Sequence, residues 1–264
     1  VKGRLEGKVC LLMGGGATLA GSGFSNGQAA ALTFARQGAS LVVVDVRLEA
    51  ARDTVTQLAL EGYEAIAVRA DVSRRDDVAA AVAATMERHG RIDILYNNVG
   101  IEYRGGPVET PEEAWDHVHD VNIKSVFLAC KQVIPIMERQ GGGAIVNISS
   151  TASLRWGGLA YISYNSSKAA LNHMSRIIAR QYAEKRIRCN VVVPGLIDTP
   201  HVRVLYGNAN PQEFDAIMKD RDARCPMGRQ GTCWDVANAA LFLASDEASY
   251  VSGALLVVDG ALSV

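Results

Sequence analysis

The chain has 264 residues, a formal net charge of −1 and a hydrophobic fraction of 48%, enough to fill a large core and too much for a disordered chain. That charge balance excludes nucleic acid and anionic membranes as obvious partners and leaves a small molecule as the better expectation. No apolar run reaches the ~18 residues of a membrane span, the first apolar stretch is too short for a secretion signal, and five scattered cysteines without a CxxC pair fit a reducing, cytoplasmic compartment.

In chain order, KVCLLM (8–13) reads as a buried strand, and GQAAALTFARQG (27–38) as a helix ended by Gly38. SLVVVD (40–45) is a strand, 47–62 an amphipathic helix, 64–71 a strand, 74–90 a helix and 92–98 a strand. Residues 110–140 read as one long helix, with Thr110 as N-cap and Pro111 in the first turn. A strand at 143–150, a helix at 160–185, a strand at 187–195 broken by Pro-Gly, a helix at 234–245 and a strand at 254–260 complete the series. Seven strands alternating with helices predict one α/β domain over 1–264: a parallel, doubly wound Rossmann sheet covered on both faces. The long irregular segment is 199–230, with a polar helical patch at 211–224, and reads as a lid over the substrate. The histidines are dispersed, and no metal site is expected.

Three features carry chemistry. First, a glycine-rich turn links the first strand to the first helix, so that backbone N–H groups at a helix N-terminus can meet a phosphate. A flexible surface loop is the alternative. Second, Asp45 closes the second strand, where an acid can accept ribose hydroxyls and repel a 2′-phosphate. This favours NAD over NADP, although nearby Arg47 suits NADP. Third, Tyr164 and Lys168 stand four apart on a helix and share a face. An ammonium beside a phenol favours the phenolate, so the pair can act as an acid/base near neutral pH. Tyr161 lacks a lysine at its own +4 position.

Over nearly its whole length the sequence resembles the short-chain dehydrogenases/reductases. The matching stretches are NNVG (97–100), VNIKSVFLACK (121–131), GGAIVNISS (142–150), YNSSK (164–168), NVVVPGLIDT (190–199) and DVANAALFLASDEASYVSGALLVVDG (235–260). The resemblance implies Tyr164 as acid/base, Lys168 as the residue that binds the nicotinamide ribose and depresses the tyrosine pKa, Ser150 as hydrogen-bond donor to the substrate oxygen, and Asn122 as support for a proton relay. It also implies Asp71 and Val72 beside the adenine, Asn98 and Gly100 beneath the adenosine ribose, and Pro194, Gly195, Ile197 and Thr199 against the nicotinamide. Ile101 to Arg104, Ala152, Arg155, Trp156, Tyr161, Leu196, His201 and the start of the lid fall where a substrate would sit. Their arginines could hold a carboxylate, or simply be solvated. Family members are often homotetramers.

The glycine turn departs from the family pattern Gly-xxx-Gly-x-Gly. Counting forward from the strand gives Gly14; counting back from Asp45 gives Gly27 as the last glycine, with Ser25 in the middle position. This register leaves about seven extra residues, expected to bulge beside the adenosine phosphates, while Ser25, Asn26 and Gly27 open the helix and the Ser25 hydroxyl donates to the pyrophosphate. A second register uses Gly21, Ser25 and Gly27. The implied function is NAD-dependent interconversion of a secondary alcohol and a ketone. The alternatives are an NADP-linked 3-oxoacyl-type ketoreductase, an enoyl reductase (whose tyrosine and lysine are usually spaced more widely) and a non-catalytic dinucleotide sensor.

Overall fold

The computed structural model describes residues 3–19 and 21–264. The first two residues, part of the stretch read for a leader, and Ala20, part of the glycine-rich insert, lie outside the described residues.

Seven parallel strands form the central sheet. In chain order they are β1 (Val9–Met13), β2 (Ser40–Asp45), β3 (Ala65–Arg69), β4 (Ile94–Asn97), β5 (Gly143–Ile148), β6 (Ile187–Pro194) and, after the short β7 (Ile197–Asp198) and β8 (Gly231–Thr232), β9 (Leu255–Val258). The spatial order β3-β2-β1-β4-β5-β6-β9 confirms the doubly wound Rossmann expectation. The inner strands are almost wholly buried, as their unbroken valine, leucine and isoleucine runs require of a sheet covered on both faces.

Helices α1 (Asn26–Arg36), α2 (Leu48–Leu60) and α9 (Cys233–Ala244) cover one face. Helices α3 (Arg75–His89), α5 (Ser125–Gln140) and α6 (Ile162–Tyr182) cover the other. The alanines of α1 (Ala29, Ala30, Ala31, Ala35) let it lie close against both the sheet and α9. The chain reverses its winding between β1 and β4, which leaves a crevice beyond the carboxyl ends of those strands, the usual ligand position in open α/β sheets.

Residues 110–140 are not one helix. A short helix α4 (Glu112–His119) passes through a π-turn (Asp120–Lys124) into α5. The N-cap is Pro111 rather than Thr110, whose hydroxyl donates to the Gly106 carbonyl instead (2.7 Å). Segment 199–230 holds two helices, α7 (Pro200–Leu205) and α8 (Pro211–Arg224). Its two ends are tied together by the parallel ladder of β7 and β8, with Gly231 N–H donating to the Leu196 carbonyl (2.9 Å).

Candidate active site

The glycine-rich turn closes on itself at its two ends. A Cβ at Gly27 would overlap the Gly14 carbonyl oxygen and come within 3.0 Å of Asn98 Nδ2. Asn98 in turn donates to the Gly14 carbonyl (2.7 Å), tying the end of β4 to the first glycine. Gly21 has open space around it, so the close packing follows the Gly14–Gly27 register. The insert lies along α2 and reaches the start of α7: Ala17 N–H donates to the Ala50 carbonyl (3.0 Å), and Gly23 faces Pro200.

Ser25 departs from expectation. Its hydroxyl accepts from Gln28 N–H (3.2 Å) and donates to the Gly16 carbonyl (3.0 Å), so its proton is held by the loop and not offered to a phosphate. The cause is helix capping: the first-turn N–H groups of α1 need an acceptor, and Gln28 completes a capping box with Ser25. Beside it, Asn26 Oδ1 is buried without a hydrogen-bond partner among the described residues.

Asn122 sits in the π-turn, fully buried. Its Oδ1 accepts from Ile101 N–H (2.8 Å), and its Nδ2 donates to the Ile101 carbonyl (2.9 Å) and to Ser167 Oγ (3.0 Å). It therefore joins the loop after β4 to α6, one residue before Lys168. Such π-turns often mark functional positions. Lys168 is 2% exposed, donates to the Ile148 carbonyl (2.9 Å) and approaches that of Val99 (3.5 Å). A Cβ on Gly100 would stand 3.0 Å from Lys168 Nζ, so the glycine leaves the ammonium its room. Ser149, beside Ser150, is buried and its hydroxyl donates to the Lys168 carbonyl and Ser153, which gives it a structural role.

Lys168 Nζ lies 5.8 Å from the centre of the Tyr164 ring. The electrostatics of these two side chains differ from those expected of an acid/base pair. Burial pushes the Tyr164 phenol up to about 12; the Ser150 hydroxyl pulls it down, and Glu102 and Tyr161 push it further up. Burial brings Lys168 down to about 8, with Glu102 acting in the opposite sense. The lysine is turned to backbone carbonyls, and loss of water dominates both groups.

One cavity of about 360 Å³ brings much of the predicted site together. Ser25, Asn26, Asn98, Gly100, Pro194, Gly195, Ile197 and Thr199, all expected beside a cofactor, line it; Ser150, Tyr164 and Lys168 line it too. Ala152, Arg155, Tyr161, Leu196 and His201 share the wall. Gly14, Gly27 and Asn122 act behind this wall through the contacts above. Asp45, Asp71 and Val72 are not on it. Asp45 accepts from the backbone N–H of Gly16 (3.1 Å) and of Arg47 (3.0 Å). Asp71 accepts from Ser73, which holds its carboxyl below the usual range. Trp156 is a correction: it is 66% exposed and does not line the cavity.

The sequence reading missed Thr18, Asn165, Leu205, Arg221, Arg224 and Leu262 on the wall. The three-residue spacing of Arg221 and Arg224 on a polar helix was the available signal. Glu102, from the stretch after β4, accepts from His201 Nε2 (3.0 Å) when that nitrogen carries its proton, and this bond raises the histidine pKa.

A family model described as enoyl-(acyl carrier protein) reductase matches residues 21–263. The chain is 40% identical over 252 residues to a 2-(R)-hydroxypropyl-CoM dehydrogenase of Xanthobacter autotrophicus, covering 93% of this chain and 97% of that one. A structure described as a short-chain dehydrogenase/reductase from Burkholderia xenovorans superimposes with a TM-score of 0.93 at 44% identity, covering 99% of this chain and 98% of the other. A 7α-hydroxysteroid dehydrogenase solved with NADH and 7-oxo glycochenodeoxycholic acid superimposes with a TM-score of 0.86 at 35% identity, over 98% and 95% of the two chains.

Proposed function

The chain belongs to the short-chain dehydrogenase/reductase family, oxidoreductases of CH–OH groups, and we propose that it interconverts a secondary alcohol and a ketone with NAD, using Tyr164 as acid and base. The observation that carries this reading is the joint opening of Ser150, Tyr164, Lys168 and the α1 N-terminus onto one cavity.

The residues fit a nicotinamide dinucleotide. Ser25 and Asn26 bring the first turn of α1, with its N–H groups, to the cavity for a pyrophosphate; the buried Asn26 Oδ1, unpartnered among the described residues, can accept from a hydroxyl or amide of the dinucleotide, and Gly27 and Gly100 keep the two approaches free of side chains. When bound, the dinucleotide supplies the carbon that gives or takes hydride, and in its oxidised form it adds positive charge that favours the phenolate. Tyr164 then removes the hydroxyl proton in oxidation and returns it to the carbonyl oxygen in reduction. Ser150 donates to the same oxygen and stabilises its developing charge. Lys168 keeps one N–H beyond its two carbonyl partners to hold a ribose hydroxyl, and Asn122 fixes the backbone at Ile101 and the hydroxyl of Ser167 around it.

NAD is favoured over NADP by two contacts. Asp45 is set at the end of β2 by two backbone N–H groups, placed to accept ribose hydroxyls and to repel a phosphate. The Arg47 guanidinium is turned into the insert, donating to the Ala17 carbonyl (2.7 Å), and so is drawn away from such a phosphate. An enoyl reductase fits less well, because Tyr164 and Lys168 are one helical turn apart on α6. Segment 199–230, tied at both ends, acts as the lid, and five free, buried cysteines suit a cytoplasmic enzyme.

Nicotinamide absorbance tests the reading over a panel of secondary alcohols and ketones with both dinucleotides. We expect turnover with NAD well above NADP, and a loss of ~10²–10⁴ in kcat/KM for Tyr164→Phe with NADH binding retained. Preference for NADP would overturn the cofactor assignment. Binding with no turnover anywhere in the panel would favour a sensor.

A further inference from the structure

Three arginines line the cavity without a carboxylate partner. Arg155 follows β5, and Arg221 and Arg224 stand three apart on α8. Among the described residues none of the three forms an ion pair. Arg155 Nη1 donates to the Leu262 carbonyl, and Arg224 Nη2 to the Gly157 carbonyl (2.9 Å). Arg221 donates through Nε to Gln230 Oε1 (2.6 Å) and through Nη2 to the Ile197 carbonyl (3.4 Å). A guanidinium has about five N–H donors, so most donors of each remain free.

Other arginines of the molecule are accounted for in different ways. Arg36 and Arg91 fork onto Glu61 and Asp93. Arg188 donates to the carbonyls of Leu243, Val251, Ala244 and Ser245, which makes it a structural clamp. Arg203 of α7 stacks on Phe214 (4.4 Å) and is not on the wall. Arg221 is half-buried, and burial, with Arg224 acting in the same sense, lowers its pKa. Two like charges so placed on one cavity wall disfavour each other unless an anion sits between them.

The opposite charge on the wall belongs to Glu102, which bonds His201 and whose field reaches Tyr164 and Lys168. The cavity thus carries a carboxylate beside the catalytic pair and guanidinium groups from α8 and the loop after β5. We propose that Arg155, Arg221 and Arg224 form a subsite for the carboxylate of a hydroxy- or oxo-acid whose reacting carbon meets Ser150 and Tyr164. The proposal rests on the dehydrogenase reading and names its substrate class: an acid whose carboxylate is separated by a chain or ring from the secondary hydroxyl. Guanidinium groups bind carboxylates through paired N–H donors, which gives orientation as well as affinity.

The test uses alkanoates of graded length with a hydroxyl on the penultimate carbon, each beside its methyl ester. The measured quantity is the carboxylate-to-ester ratio of kcat/KM. For the wild type we expect the ratio to exceed one and to peak at one chain length. In Arg224→Gln and Arg221→Gln it should fall about ten- to hundredfold, the scale of a lost charged hydrogen bond, and Arg224→Lys should restore part of it. Arg224 holds only one carbonyl, so its variants guard against misfolding of Arg221→Gln. A ratio unchanged in Arg224→Gln, or an ester preference in the wild type, would overturn the subsite. A calorimetric titration with the unreactive alkanoate lacking the hydroxyl separates the two levels. Arginine-dependent binding without turnover of any alcohol supports the subsite and refutes the dehydrogenase reading, whereas turnover of neutral alcohols without such binding does the reverse.

Discussion

Lys168 is a costly residue to bury, and the cost depends on pH. Its pKa falls from 10.5 in the open chain to about 8 in the fold. Below about 8 it is charged in both states, and the fold carries the whole penalty. Between about 8 and 10.5 the unfolded chain binds the proton more tightly, so stability rises with pH. Tyr164, raised to about 12, acts in the opposite sense only above about 10. Lys168→Met should therefore be inactive yet more stable near pH 7 by about 1–3 kcal/mol, the upper end being the shift itself and the lower allowing for the orphaned Ile148 carbonyl. Urea unfolding at several pH values checks this; a gain that does not shrink between pH 8 and 10 would contradict it. At this scale the sequence was most informative where chemistry fixes spacing, as at Tyr164 and Lys168. It was least informative at Arg221 and Arg224, because a polar helix reads as solvated until the ladder of β7 and β8 shows where it is held. Trp156 misled for the converse reason: an aromatic in a loop beside the site need not turn inward.

Among the elements, the β1–α1 turn and the π-turn carry the site. Gly27 is where helix and strand come closest, and a methyl there would strike the Gly14 carbonyl. Gly27→Ala should push α1 off the turn, lower stability by about 1–3 kcal/mol and weaken NADH binding at least tenfold. Gly21→Ala, in open space, should cost only the strain of its positive φ. Fluorescence titration with NADH compares them, and equal affinities would remove Gly27 from the phosphate approach. The ends of this turn were legible from the strand before it and Asp45 after it. Its middle was not, because the insert is positioned by contacts with α2 and Pro200 that lie far off in sequence. The π-turn was illegible for a simpler reason: one extra residue in a turn leaves composition helical and barely disturbs the apolar period.

At the scale of the molecule, strand and helix order followed directly from buried runs alternating with amphipathic ones, since a doubly covered parallel sheet needs both. What the chain leaves uncovered points to association. Trp115, Phe127 and Ile177 are exposed on α4, α5 and α6, and Val257 is exposed on the edge strand β9, whose outer side has no paired strand among the described residues. We expect a homotetramer by light scattering, and a smaller species for Phe127→Glu; a wild-type monomer at micromolar concentration would refute it. The pairing of β6 with β9 has a further consequence, for the order in which the enzyme comes to life. Gly195 is held by the Val258 carbonyl (3.0 Å) and packs on Asp259, so the wall proposed for the nicotinamide is braced by residues more than sixty positions later. On the ribosome that wall must wait for the last strand to emerge, and the β1–α1 side waits almost as long, because α1 packs on α9. A nascent chain should thus gain dinucleotide binding and turnover together, and only near the end of its synthesis.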